Sequence, residues 1–249
     1  MKVYFFSKKT LIGSAVIALL ICGFLGLSLI YYSDTGVASR MTEPIYQGNT
    51  GEKLVAISVN VDWGEEHIPA MLEEFKRYDA QATFYVTGLW AEKNPDMLKK
   101  IDKAGHSIQN HSYKHVHFNT LSQTDAINQI KKAEDIIYNI IEKRTKFFSS
   151  PYGEQSRQIM TAVSSINYDL IMWSIDTIDW QKPTPDMIIK RVLNKIHNDA
   201  IILMHPTEPT VQALPEMLNS IKEQGYKMVT IDKILVEKDG TGVENVKKD

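Results

Sequence analysis

A chain of 249 residues with 28 Lys and Arg against 30 Asp and Glu carries a formal net charge of −2. That length holds one sizeable domain or two small ones at most, and the near-neutral balance excludes a strong bulk attraction to nucleic acid. With Cys22 the sole cysteine, an intrachain disulfide framework is excluded as well.

The N-terminus departs from the average. Residues 11–32 carry no charge and are mostly Leu, Ile, Val, Ala, Gly and Phe. A bilayer-spanning helix takes about 20 such residues. Lys8 and Lys9 precede the run, while Asp34 and then Arg40 follow it. This asymmetry predicts an uncleaved, single-pass signal-anchor in the cell membrane, with residues 1–10 cytoplasmic and the rest outside. Three readings compete with it. A cleaved signal peptide lacks a clean small-x-small site at the end of the run. A lipoprotein signal on Cys22 has the bulky Ile21 before it. The third is a buried core helix. Residues 33–52, with Gly36, Pro44, Gly48 and Gly51, are predicted to form a tether. Residues 53–235 form the predicted domain, and 236–249 a polar tail. The exported part then carries no thiol and needs no disulfide, because a domain of this size buries enough core without one.

From Lys53 onward, strand-like apolar runs alternate with amphipathic helical ones. Strands are predicted at 54–61, 82–86, 106–110, 147–149, 170–174, 200–204 and 228–231. Helices are predicted at 68–78, 95–104, 125–142, 155–166, 185–197 and 211–224, with Ser122 as a cap and Pro185 in a first turn. The βαβα alternation predicts an α/β fold with a parallel sheet, open or closed into a barrel, and chemistry at the C-terminal strand ends.

Several residues capable of chemistry fall at those ends. His111 and His115 are four apart and can face one metal; His117 competes with them, and a chance surface pair is the bland alternative. In Asn60-Val-Asp62-Trp63-Gly64, Asp62 can add a carboxylate to two imidazoles, or simply form an Asx turn or helix cap before Glu65. Asp176 and Asp179 follow one strand and His205 ends another; a carboxylate beside an imidazole fixes its tautomer and raises its pKa, as a general acid requires, whereas loop capping is the plain alternative. Ser149-Ser150-Pro151-Tyr152-Gly153 is by itself only a rigid turn.

Their order and spacing together resemble the five motifs of the polysaccharide deacetylases, the NodB-homology or family-4 carbohydrate esterases, over about residues 53–235. The segments that carry the likeness are Ala82-Thr-Phe-Tyr-Val-Thr-Gly88, Gly105 to His115, Trp173 to Trp180, and Ile201-Ile-Leu-Met-His205-Pro. The likeness is nearest to the branch that works on spore and cell-wall peptidoglycan. It implies a distorted (β/α) barrel of the NodB type with a divalent metal in a groove, zinc first and cobalt or nickel after it. Carried over by position, Asp62, His111 and His115 would bind the metal. His205 would be the general acid, oriented by Asp179. Tyr152 would offer its backbone amide to an oxyanion, and Pro151, Trp180, Trp63 and Asp176 would shape the sugar groove. The implied partner is cell-wall glycan carrying N-acetyl groups on GlcNAc or MurNAc.

The pattern breaks at two positions. The family's first motif carries two acids, one a base and one a ligand, and the base position here is Asn60. An amide has no basic lone pair with which to deprotonate water. The third motif opens on an Arg that pairs with that base, and here the position is Ser149. The losses agree, because an Arg without its carboxylate would be an uncompensated buried charge. The segment also holds one residue more than the common form, so Asp62 could supply the base instead. Weak hydrolysis is therefore expected, with a silent glycan-binding or scaffold protein of the wall or spore, and another N-acyl amidohydrolase, as alternatives.

Overall fold

The computed structural model describes Met1 and residues 43–235. The expected anchor at 11–32, Cys22, the first half of the tether (33–42) and the tail lie outside the described residues. Among the described residues, no helix is long and apolar enough to cross a membrane.

Eight strands form one sheet: β1 (Leu54–Val61), β2 (Ala82–Val86), β3 (Ser107–Asn110), β4 (Phe147–Phe148), β5 (Asp169–Leu170), β6 (Ile175–Asp176), β7 (Ala200–Met204) and β8 (Lys227–Val229). Their order is β5-β4-β3-β2-β1-β7-β6, with β8 beside the first residues of β1, and every ladder is parallel. The result is a parallel half-barrel of the NodB type. Among the described residues, eight α-helices connect or cover it: α1 (Ile68–Arg77), α2 (Gly88–Lys93), α3 (Pro95–Lys103), α4 (Gln123–Ile141), α5 (Arg157–Ser165), α6 (Pro185–Leu193), α7 (Glu208–Glu223) and α8 (Ile231–Ile234).

The alternation along β1 divides two environments. Val55, Ile57, Val59 and Val61 face the helices, packing with Met71, Phe75, Leu214 and Leu218. Ala56 points into the barrel, with Tyr85, Phe147 and Ile201 from neighbouring strands. Counting upward by twos from those four residues reaches Asn60, Thr87, Ser149 and His205. The inward file that builds the core below thus delivers polar residues at the top.

Several expected elements differ. The 170–174 run is not one strand. Leu170 pairs in β5, and Ile175 pairs with Ile202 in β7, so the chain crosses between two sheet neighbours. The Met172 amide bonds the Ile45 carbonyl and the Ser174 amide the Ile201 carbonyl. Residues 45–51, expected in the tether, belong to the domain: Ile45 bridges Ile171, Gln47 bridges Ala200, and Asp199 accepts from Thr50 and the Gly51 amide. Helix α2 was not expected; Thr87 opens it by accepting from the Trp90 amide. Helix α7 starts three residues before the expected 211, because Thr207 caps it with Pro209 in the first turn. Helix α6 stops at Leu193 rather than 197, and the chain after β8 turns into α8 instead of extending to Ile231.

His106 makes the fold acid-sensitive. Its ring is buried at 6% exposure, edge-on to Phe75 and Phe84, and Nδ1 accepts from the Ala82 amide. Burial lowers its pKa from 6.5 to about 4. The unfolded chain then binds a proton between pH 6.5 and 4 that the fold does not, so stability is full above 6.5 and falls toward 4. Replacing His106 with Gln, which keeps an acceptor without the charge, should remove on the order of 3 kcal/mol of that pH dependence. Urea unfolding of both proteins at pH 7 and pH 4 measures the difference; equal losses would show that His106 contributes nothing.

Candidate functional site

The loops after the strands gather the expected residues at one end of the barrel. His111 follows β3 at 2% exposure, and its ring lies 5.1 Å from that of His115. A left-handed Ser112, φ 69°, turns the chain between them, held by the Asn110 side chain accepting from its amide. His111 Nδ1 donates to the Ser149 carbonyl at 2.6 Å, which leaves Nε2 for the groove. Burial, then the neighbouring His115, pushes the His111 pKa down to about 3, opposed by the Ser149 contact. Burial also lowers that of His115, with Asp62 opposing. Both rings are therefore neutral near pH 7, the state that ligates a metal. His117, the competing residue, turns away to Glu154 and Tyr152.

Asp62, the expected third ligand, is bonded elsewhere. Asp62 lies close enough to His115 to act on its charge, yet its Oδ1 accepts from Thr87 Oγ1 at 2.8 Å. Among the described residues, no three His, Cys, Asp or Glu side chains are grouped to hold a metal ion. The imidazole pair fits a divalent cation; the full two-His, one-carboxylate set is not assembled.

Opposite stands the His205–Asp179 pair. Asp179 is fully buried, and His205 Nδ1 donates to its Oδ1 at 2.8 Å. Its Oδ2 accepts from the His205 amide at 2.6 Å and from Thr210 Oγ1 at 2.6 Å. Thr210 sits in the first turn of α7 and was not singled out from sequence; a Thr three residues into a helix looks like ordinary capping chemistry. Asp176, expected in the groove, accepts from the Ile178 amide at 2.8 Å, shaping the turn into Asp179. Ile178 itself is left-handed, φ 53°, an uncommon state for a β-branched residue.

At the base position, Asn60 is 5% exposed and its Nδ2 donates to Ser149 Oγ at 3.1 Å. Asn60 Oδ1 has no hydrogen-bond partner among the described residues. The two substituted positions thus meet, 89 residues apart in sequence.

Three exposed aromatic residues stand among these side chains. Trp63 lies parallel to the His205 ring at 6.3 Å, Trp180 projects beside Asp179, and Tyr152 sits edge-on to His115 at 4.5 Å. Pro151 is buried beneath Tyr152. The Trp63 loop depends on Gly64, φ 81°, where a Cβ would stand 2.2 Å from the Pro206 carbonyl oxygen. Changing Gly64 to Ala should cost roughly 2 kcal/mol or more through strain and that collision. A midpoint unchanged in thermal unfolding would contradict the close approach.

The family model described as polysaccharide deacetylase matches residues 47–171. The chain is 39% identical over 199 residues to the uncharacterised protein YlxY of Bacillus subtilis (strain 168), covering 80% of this chain but only 62% of YlxY. It is 30% identical over 191 residues to a peptidoglycan-N-acetylglucosamine deacetylase of Bacillus cereus, covering 75% of this chain and 70% of that protein. Among solved structures, BA3943 of Bacillus anthracis, described as a CE4 family pseudoenzyme, superposes with a TM-score of 0.74 at 38% identity, over 77% of this chain and 68% of that one. A BA3943 mutant described as having restored enzymatic activity matches with the same score at 37% identity, over 77% and 70% of the two chains.

Proposed function

Because this chain belongs to the polysaccharide deacetylase family of carbohydrate esterases, we propose that it engages N-acetylated cell-wall glycan in the family's groove and hydrolyses it slowly or not at all. One observation carries the reading: the buried Asn60–Ser149 pair stands where the family holds a carboxylate and an arginine. The amide can accept a hydrogen bond from water but cannot take its proton. Loss of a positioned general base typically costs about 10²–10⁴-fold. The likeness to a pseudoenzyme supports the silent reading.

The intact His205–Asp179 pair supports the slower-hydrolysis reading. Asp179 fixes the tautomer with the proton on Nδ1 and would stabilise an imidazolium, from which Nε2 delivers a proton to a leaving amine. The Tyr152 backbone amide would face the oxyanion. Trp180 and Trp63 would stack on sugar rings, with Pro151 and Asp176 shaping the walls. A bound divalent ion, zinc first and cobalt or nickel after it, would rest on the His111 and His115 pair and would supply a Lewis acid for the acetyl carbonyl; Asp62 would join them only by giving up its bond from Thr87. The apolar 11–32 run would hold the domain outside the cell membrane, within reach of the wall.

Sedimentation with purified N-acetylated peptidoglycan tests the proposal. The wild-type chain should co-sediment, and Trp180→Ala should weaken retention about tenfold or more. A wild type left wholly in the supernatant would sink the binding reading.

A further inference from the structure

His117 lies outside both chemical pairs, yet it is firmly engaged. Its ring stacks on Tyr152 with centroids 3.9 Å apart and planes 13° apart. Its Nδ1 meets Glu154 Oε1 at 2.9 Å, and the other Glu154 oxygen accepts from the Asn119 amide at 2.8 Å. Glu154 lies two residues past Tyr152, so the contacts close a ring across two separate loops. The first loop follows β3 and carries His111 and His115. The second follows β4 and carries Pro151 and Tyr152.

Tyr152 needs such a hold. Its backbone is left-handed, φ 59°, and its side chain is 57% exposed. An exposed ring on a strained backbone would otherwise sample several rotamers. Instead it rests against His115 and donates from its hydroxyl to the His115 carbonyl at 3.4 Å. Among the described residues, its other ring contact is the stack with His117.

We propose that His117 and Glu154 are positioning residues that clamp Tyr152 against His115 and so preset the width and chemistry of the groove on that side. The pair touches neither acyl group nor sugar; it acts through Tyr152. The inference deepens the glycan reading and rests on it for its affinity readout, while its geometric content stands separately.

The test uses the full chain with N-acetylated chitotetraose as probe, titrated calorimetrically, and imidazole proton NMR on the same samples. His117→Ala and Glu154→Ala should each weaken binding about threefold to tenfold, the range of one aromatic contact. His117→Phe keeps the stack, and Glu154→Gln keeps the shape, one oxygen to accept from the Asn119 amide and an N–H that can donate to His117 Nδ1, so both should bind within about twofold of wild type. The His115 ring protons should shift in His117→Ala and stay near their wild-type positions in His117→Phe. Wild-type affinity in His117→Ala, or unmoved His115 signals, would overturn the clamp. If the wild type binds no chitotetraose, the glycan reading fails, and the NMR comparison alone decides the clamp.

Discussion

Changing Asn60 to Asp together with Ser149 to Arg should raise acetate release from N-acetylated peptidoglycan about 10²–10⁴-fold over wild type, the range a positioned general base supplies. Asn60 is buried, and among the described residues its side chain bonds the Ser149 hydroxyl. A carboxylate placed there alone would lose its water without gaining a countercharge, and desolvation would raise its pKa. It would still accept from Ser149, so Asn60→Asp alone should gain activity, but less than the double change. The arginine supplies the missing charge and keeps the carboxylate ionised. Ser149→Arg alone should lose stability, because it buries a cation against an amide. Acetate measured from the four proteins under one zinc concentration checks the order: double above Asn60→Asp, and both above wild type and Ser149→Arg.

The second large effect falls on folding. Asp179→Ala should destabilise the domain by about 3–5 kcal/mol, because it removes the buried acceptor of several donors at about 1–3 kcal/mol each. Asp179 is fully buried and accepts from three donors: the His205 amide, His205 Nδ1 and Thr210 Oγ1. Truncation removes the acceptor of both His205 donors, leaves Thr210 Oγ1 with Thr207 Oγ1 alone, and opens a void between β7 and the start of α7. Thr210→Val removes one donor and should cost far less, about 1 kcal/mol. Denaturant midpoints of the two variants beside wild type check the ratio; near-equal losses would mean that Asp179 holds the fold no more firmly than Thr210 does.

The regular parts of this fold can be read from sequence where burial is continuous. Strands β1, β2 and β7 are buried over nearly their whole length, and an apolar run bounded by polar residues shows their limits. The 169–176 stretch defeats that reading. Its apolar residues satisfy β4 on one side, the 45–47 segment in the middle and β7 beyond, and no local pattern announces a change of partner.

The candidate site divides in the same way. His111, His115, Asp179 and His205 stand out because titratable side chains at strand ends are unusual, and the structure brings each pair together. Asn60 and Ser149 stand out only against the family pattern, and their contact confirms that the two positions are neighbours. Thr87 and Thr210 pass as helix-capping residues, so their bonds to Asp62 and Asp179 carry no sequence signal. The Glu154–His117 contact joins loops 37 residues apart, a pairing that composition and spacing do not encode.

As proposed, the site retains N-acetylated glycan while Asn60 withholds the base. One measurement tests it most directly: wild-type chain incubated with N-acetylated peptidoglycan and zinc, with sedimented protein and released acetate read from the same tube. The expected result is protein in the pellet and acetate at no more than about one hundredth of the Asn60→Asp/Ser149→Arg rate. Wild-type acetate release equal to that of the double variant would contradict it.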